Sequence, residues 1–207
     1  MNLNQIDAVI FDLGGVIIDI DLDTGFKKFK SIGIGINQEP LEIIKSNDVF
    51  IRYETGKIGT EVFRDELRKF SARDFKDNEF DDAWNSIIAF FPKENISFIQ
   101  RIKSKYRTFL MSNTNELHIK YCSKILNESF NLRGFDSMFE KVYYSHTSGM
   151  RKPNADFFQL IIKENKLVPE RTLFVDDFAE NIETANQLGI KTYHITNGRK
   201  ILDLNVS

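Results

Sequence analysis

Cysteine is almost missing from this sequence. Cys122 stands alone among 207 residues, which excludes an internal disulfide. No catalytic partner lies near it in sequence, so a thiol on a helix face is expected rather than a nucleophile. Long apolar runs are missing too, and a helix needs roughly 20 consecutive apolar residues to span a bilayer. An excess of either charge is also lacking. With 28 Lys and Arg against 30 Asp and Glu, the formal net charge is -2, which gives no broad basic field for nucleic acid. The opening residues Met1-Asn2-Leu3-Asn4-Gln5 show no basic stretch leading into a cleavable apolar segment. The expectation is a cytoplasmic protein whose partner is neither membrane nor nucleic acid.

What is present is an ordinary globular composition, 42% hydrophobic, with 19 Phe spread along the chain as core material. Ala8-Val9-Ile10-Phe11 is a continuous apolar run that ends at Asp12, the pattern of a buried strand. Leu13-Gly14-Gly15 then marks a tight turn with exposed backbone. Between about Asp19 and Phe91 the pattern changes. Phe26, Phe29, Leu41, Ile44, Phe63, Leu67 and Phe70 recur at helical spacings, Thr60 is placed to cap a helix, and no strand is evident.

After Pro92, helix and strand alternate. The pattern predicts helices over 94–105, 116–126, 154–165 and 180–188, and strands over 108–111, 141–144, 172–175 and 191–195. Such alternation argues for an α/β protein, a parallel sheet with helices on both faces. The predicted division is a core of residues 1–18 and 92–207 with a helical insertion of residues 19–91.

In sheets of this kind ligands collect beyond the carboxyl ends of the strands. Asp12 stands there after one strand, Ser112 and Asn113 after a second, Asp176 and Asp177 after a third. Their chemistry is complementary. A carboxylate can attack phosphorus to give an aspartyl-phosphate. Three carboxylates in one place repel unless a cation sits among them, and hard oxygen ligands suit Mg²⁺. The Ser112 hydroxyl can donate to a phosphate oxygen, and Asn113 can help orient the group. Lys152 brings a point positive charge just before a helix start that also favours anions. Gly14 and Gly15 let backbone N–H groups approach a phosphate closely.

Asp12-Leu13-Gly14-Gly15-Val16, Ser112-Asn113-Thr114, Arg151-Lys152-Pro153 and Asp176-Asp177 resemble, in order and spacing, the four motifs of the haloacid dehalogenase-like hydrolases. The resemblance implies a doubly wound Rossmann-like core with an inserted helical cap that closes over the site. It implies Asp12 as nucleophile, Lys152 as partner of nucleophile and phosphate, and Ser112 and Asn113 as phosphate ligands. Asp177 aided by Asp176, with Asp12 and the Gly14 carbonyl, would hold Mg²⁺. The implied partner is a small phosphorylated metabolite. Asp-Leu-Gly followed by Ile18-Asp19-Ile20-Asp21, together with Arg52-Tyr53-Glu54-Thr55-Gly56-Lys57-Ile58, is similar to a bacterial branch that includes α-D-glucose 1-phosphate phosphatases. There Arg52, Tyr53 and Glu54 are candidates for sugar contact, against a plain reading as a solvated helix end.

Phosphatases of this family commonly carry a second Asp two positions after the nucleophile, as general acid and base. Here that position is Gly14. Loss of such a group costs roughly 10²–10⁴-fold in rate. The alternative to a phosphatase is therefore a phosphate-binding or interaction protein with impaired catalysis. A phosphosugar mutase would need the second Asp as proton shuttle, and a 2-haloacid dehalogenase would leave Asp176 and Asp177 as unexplained repulsion.

Overall fold

The computed structural model describes residues 3, 5–35, 48–196 and 198–204. Its elements run Ala8–Phe11 (β1), Asp19–Ile20 (β2), Leu22–Ser31 (α1), Val49–Glu54 (α2), Thr60–Arg68 (α3), Asp77–Asn85 (α4) and Ile88–Phe90 (β3). There follow Lys93–Ile102 (α5), Arg107–Ser112 (β4), Glu116–Phe130 (α6), Lys141–Tyr144 (β5) and the short turn Ser145–Ser148 (α7). Ala155–Glu164 (α8), Thr172–Asp176 (β6), Ala179–Gln187 (α9) and Lys191–His194 (β7) follow, with short 3₁₀ turns besides.

The sheet is parallel throughout, in the order β5-β4-β1-β6-β7. β1 is apolar at every position because a central parallel strand is covered on both faces. Val9, Phe11, Leu110, Leu173 and Val175 pack with Ile99 and Ile102 of α5 and with Cys122 and Leu126 of α6. Ala8, Ile10, Phe109, Met111 and Phe174 pack with Phe157, Phe158 and Ile161 of α8 and with Ile182 and Ala185 of α9. The expected doubly wound α/β core is present, and ten of the largest fully buried side chains are Phe. Cys122 lies within this packing, where burial pushes its thiol up to about 12 and removes it from nucleophilic chemistry.

Register brings the polar residues to the same end of the sheet. Phe11 faces Leu110 on one side and Val175 on the other, so Asp12, just after β1, comes level with Asp176, the last residue of β6, while Ser112, the last residue of β4, stands one position further along. The Asp12 N–H donates to the Val175 carbonyl at 2.9 Å, holding the turn against β6.

The described residues between β1 and α5 are mostly helical, with α1–α4 gathered around Phe29, Tyr53, Phe63, Phe80 and Trp84. The structure corrects two expectations here. Asp19–Ile20 and Ile88–Phe90 pair as a short antiparallel ribbon where the chain leaves and rejoins the sheet region, although no strand was expected between residues 19 and 91. Thr60 does not cap α3. Gly59 holds that position, and the Thr60 hydroxyl instead donates to Glu116 Oε2 at 2.8 Å. Asp21 caps α1, accepting from the N–H and hydroxyl of Thr24. Leu41 and Ile44 lie outside the described residues.

Several polar contacts fasten the insertion to α6. Trp84 Nε1 donates to Asn115 Oδ1 at 3.1 Å, and the Leu117 N–H donates to the Tyr53 hydroxyl at 3.4 Å. His118 stacks on the Trp84 ring, and its Nε2 lies 3.1 Å from the Trp84 carbonyl oxygen.

Candidate active site

Lys152 is the centre of the constellation, with 1% of the residue exposed. Its Nζ lies 2.7 Å from Asp12 Oδ1 and 2.7 Å from Asp176 Oδ2, and it sits over the Phe174 ring. Burial works to lower the Lys152 pKa, but the charges of Asp12 and Asp176 outweigh it and hold the ammonium protonated. The lysine is positioned from behind by Asn113. The Asn113 amide donates to the Lys152 carbonyl at 2.9 Å, and its oxygen accepts from the Lys152 N–H at 2.8 Å. This side chain was expected to reach phosphate. It is spent instead on tying the end of β4 to the Lys152 loop.

Asp176 is fully buried and saturated. Its Oδ1 accepts from the Phe178 N–H and from Asn181 Nδ2, while its Oδ2 accepts from Lys152 and, more weakly, from Asn181. Asn181 escaped the sequence reading. Its spacing five residues after Asp176, on the first turn of the following helix, is the signal that could have found it. Ser145 was missed as well. Its hydroxyl accepts from the Thr114 N–H and donates to the Thr114 carbonyl, bracing the loop after Ser112. Ser112 itself ends β4, the strand next to β1, and is almost wholly buried.

The three carboxylates come together as expected. One oxygen each from Asp12, Asp176 and Asp177 lies within 4.8 Å of the others. Burial raises the Asp12 carboxyl to about 7, with Lys152 opposing the shift and Asp176 adding to it. Burial and Asp176 also raise Asp177, whose buried Oδ1 has no hydrogen-bond partner. One lysine does not balance three clustered acids, two of them buried, and an orphaned carboxylate oxygen is a ligand suited to a hard cation. The residues present therefore fit Mg²⁺. Asp177 has the free oxygen for direct ligation, whereas Asp176 already holds Lys152 and Asn181.

Gly15 is required where it stands. Its φ is +73°, and a Cβ there would run into the Asp177 carboxylate. Gly14 lies under β2, where a Cβ would meet Ile20 Cγ1 at 3.1 Å. The three sugar-contact candidates separate. Tyr53 is buried in the insertion, stacked on Phe63, and Arg52 pairs with Asp48 at the surface. Glu54 faces the Lys152 loop, with Oε2 3.2 Å from Arg151 Nη2.

A parallel α/β sheet carrying a buried Asp-Lys pair and an acidic trio at its strand ends is the layout of one hydrolase family, and residues 6–189 match it: the haloacid dehalogenase-like hydrolases. The chain belongs to this family and is a hydrolase. It is 30% identical over 197 residues to the D-ribitol-5-phosphate phosphatase of Bacteroides thetaiotaomicron, spanning 94% of each chain. It is also similar to a haloacid dehalogenase family enzyme of that organism, solved as the wild-type protein in complex with magnesium and inorganic phosphate. That likeness has a TM-score of 0.85 and 31% identity over 95% of this chain and 97% of the other. A protein of Porphyromonas gingivalis described as a predicted hydrolase of the family gives a TM-score of 0.84 and 33% identity over 94% of this chain and 93% of the other. No described helix is long and apolar enough to cross a membrane.

Proposed function

We propose that this protein is a cytoplasmic magnesium-dependent phosphatase of small phosphorylated metabolites, in the range of sugar and polyol phosphates, acting through an aspartyl-phosphate on Asp12. The observation that carries this reading is the 2.7 Å contact between Lys152 Nζ and Asp12 Oδ1. It fixes one carboxylate oxygen and leaves the other to attack phosphorus along a defined line.

Bound Mg²⁺, held by Asp12, Asp177 and the Gly14 carbonyl with Asp176 beside them, supplies the positive charge that lets an anionic carboxylate meet an anionic phosphate. Lys152 takes charge on the phosphoryl oxygens as it builds. The Ser112 hydroxyl and the backbone N–H groups of Gly14 and Asn113 hold those oxygens, while the Gly15 N–H, expected to take part, is spent on the Ile18 carbonyl at 2.8 Å. Water then releases the phosphoryl group from Asp12. Residues 1–18 and 92–207 act as the catalytic core, and residues 19–91 act as a cap that keeps bulk water out and selects the organic part of the substrate. The phosphatase activity carried in the name of the Bacteroides relative supports the choice of polyol phosphates.

The test is phosphate release from a panel that includes ribitol 5-phosphate, sugar phosphates and p-nitrophenyl phosphate, with and without Mg²⁺. Magnesium-dependent turnover that Asp12→Asn lowers by at least about 10³-fold is expected. Magnesium-dependent ligand binding with no turnover anywhere in the panel would replace the enzyme reading by that of a phosphate-binding protein.

A further inference from the structure

Expelling an alkoxide from a phosphate monoester calls for a proton, and Gly14 has none to give. Ile20 of β2 packs over that position, so the site is built without an acid there. A different acid enters from the insertion. Glu54 ends α2, and its surroundings fix where its carboxyl points. The preceding Tyr53 is locked by stacking on Phe63 and by its hydroxyl contacts with Thr60 and the Leu117 N–H. The following turn packs onto the loop before Lys152, with Gly56 at φ +67° so close to the His146 carbonyl that a Cβ would overlap it.

Between these anchors Glu54 Oε2 meets Arg151 Nη2 at 3.2 Å, one residue before Lys152. The Lys152 charge, itself buried against Asp12, also acts on the Glu54 carboxyl. Burial nevertheless wins over Arg151 and Lys152 and raises the Glu54 pKa, so the carboxyl keeps its proton to higher pH than an ordinary Glu. At the same interface Arg151 Nε and His146 Nδ1 are buried with no hydrogen-bond partner. Polar atoms left open in this way are suited to the hydroxyl groups of a bound polyol.

We infer that Glu54 is the proton donor to the leaving oxygen, supplying from the insertion the acid that position 14 lacks. The inference rests on the phosphatase reading above. In the first step a bond forms between Asp12 and phosphorus, and the bond from phosphorus to the leaving oxygen breaks. That oxygen takes the Glu54 proton and departs as an alcohol, and the Glu54 carboxylate left behind is paired with Arg151. In the second step water attacks phosphorus and gives one proton back to Glu54. The bond to Asp12 breaks, and inorganic phosphate leaves. The proton donor is in place only while the insertion is docked on the core, which ties leaving-group departure to a closed site.

The test compares Glu54→Gln with wild type on p-nitrophenyl phosphate, whose phenolate leaves without a proton, and on the best alkyl phosphate of the panel. Expected is a fall in kcat/KM, which reports the steps up to departure of the leaving group, about 10²-fold larger on the alkyl phosphate than on p-nitrophenyl phosphate. An equal fall on both, or none on either, overturns the role of Glu54 while leaving the phosphatase reading intact. Wild-type protein that hydrolyses neither ester defeats the phosphatase reading itself. Should Glu54→Gln prove unfolded by circular dichroism, the wild type decides on a series of esters. A shallow dependence of rate on leaving-group pKa supports an enzymic proton donor, and a steep one overturns it.

Discussion

The Asp177 carboxylate fills the space that a side chain on Gly15 would need. Gly15 has φ +73°, so Ala there is strained in its backbone and displaces a carboxylate with one buried, unpartnered oxygen. Gly15→Ala should therefore act on the metal more than on the fold. The Mg²⁺ concentration for half-maximal activity is expected to rise about 10–100-fold, the range for disturbing the support of a metal ligand. Metal-free stability should fall by only about 1–3 kcal/mol. A magnesium titration of phosphatase activity checks this, and an unchanged midpoint would contradict the placing of Asp177 as a ligand.

Lys152 separates two buried carboxylates and compensates both. Lys152→Met strands those charges, and breaking a buried ion pair on one side costs about 3–5 kcal/mol. Turnover should vanish with it. The double variant Lys152→Met/Asp176→Asn removes one stranded charge and should recover part of the stability while staying inactive, because the two sites are coupled. Urea unfolding of the single and double variants measures both effects. A single-variant loss below about 1 kcal/mol would mean that Lys152 is not the compensating charge.

The placing of Asp12 at a strand end was legible in the sequence because β1 is a continuous apolar run that stops at an acid. The same pattern, an apolar run ended by Ser112 or by Asp176, recurs where β4 and β6 finish. The ribbon of β2 and β3 was not legible, since strands of two and three residues carry no periodicity to read. Thr60 has the composition of a cap, but a tertiary partner, Glu116, claimed its hydroxyl. Asn113 was correctly placed at the strand end, yet its amide turns to the Lys152 backbone, a choice set by a loop 39 residues away. Asn181 and Glu54 take their meaning from what they face, Asp176 and Arg151, and sequence order does not contain that.

The joint between insertion and core contains its own titrating group. The half-buried His118 ring stacks on Trp84, places Nε2 3.1 Å from the Trp84 carbonyl and Nδ1 3.3 Å from Asn115 Nδ2. A neutral imidazole satisfies both contacts, donating from Nε2 and accepting at Nδ1. Burial lowers its pKa to about 4, from the ordinary 6.5 of an unfolded chain. Between those values the unfolded chain binds the proton and the folded one does not, so stability rises with pH there. The contribution is complete above about pH 6.5, is lost as pH falls toward 4, and changes no further below that. With the partial exposure of the ring allowed for, the loss at pH 5 is about 1–2 kcal/mol. Carboxylates titrate in the same window, so the comparison is with His118→Gln, which keeps a donor for the Trp84 carbonyl and has no proton to take up. Thermal melts from pH 7 to 5 should show wild type falling more steeply than His118→Gln, while parallel curves would mean that His118 already carries its proton in the folded joint.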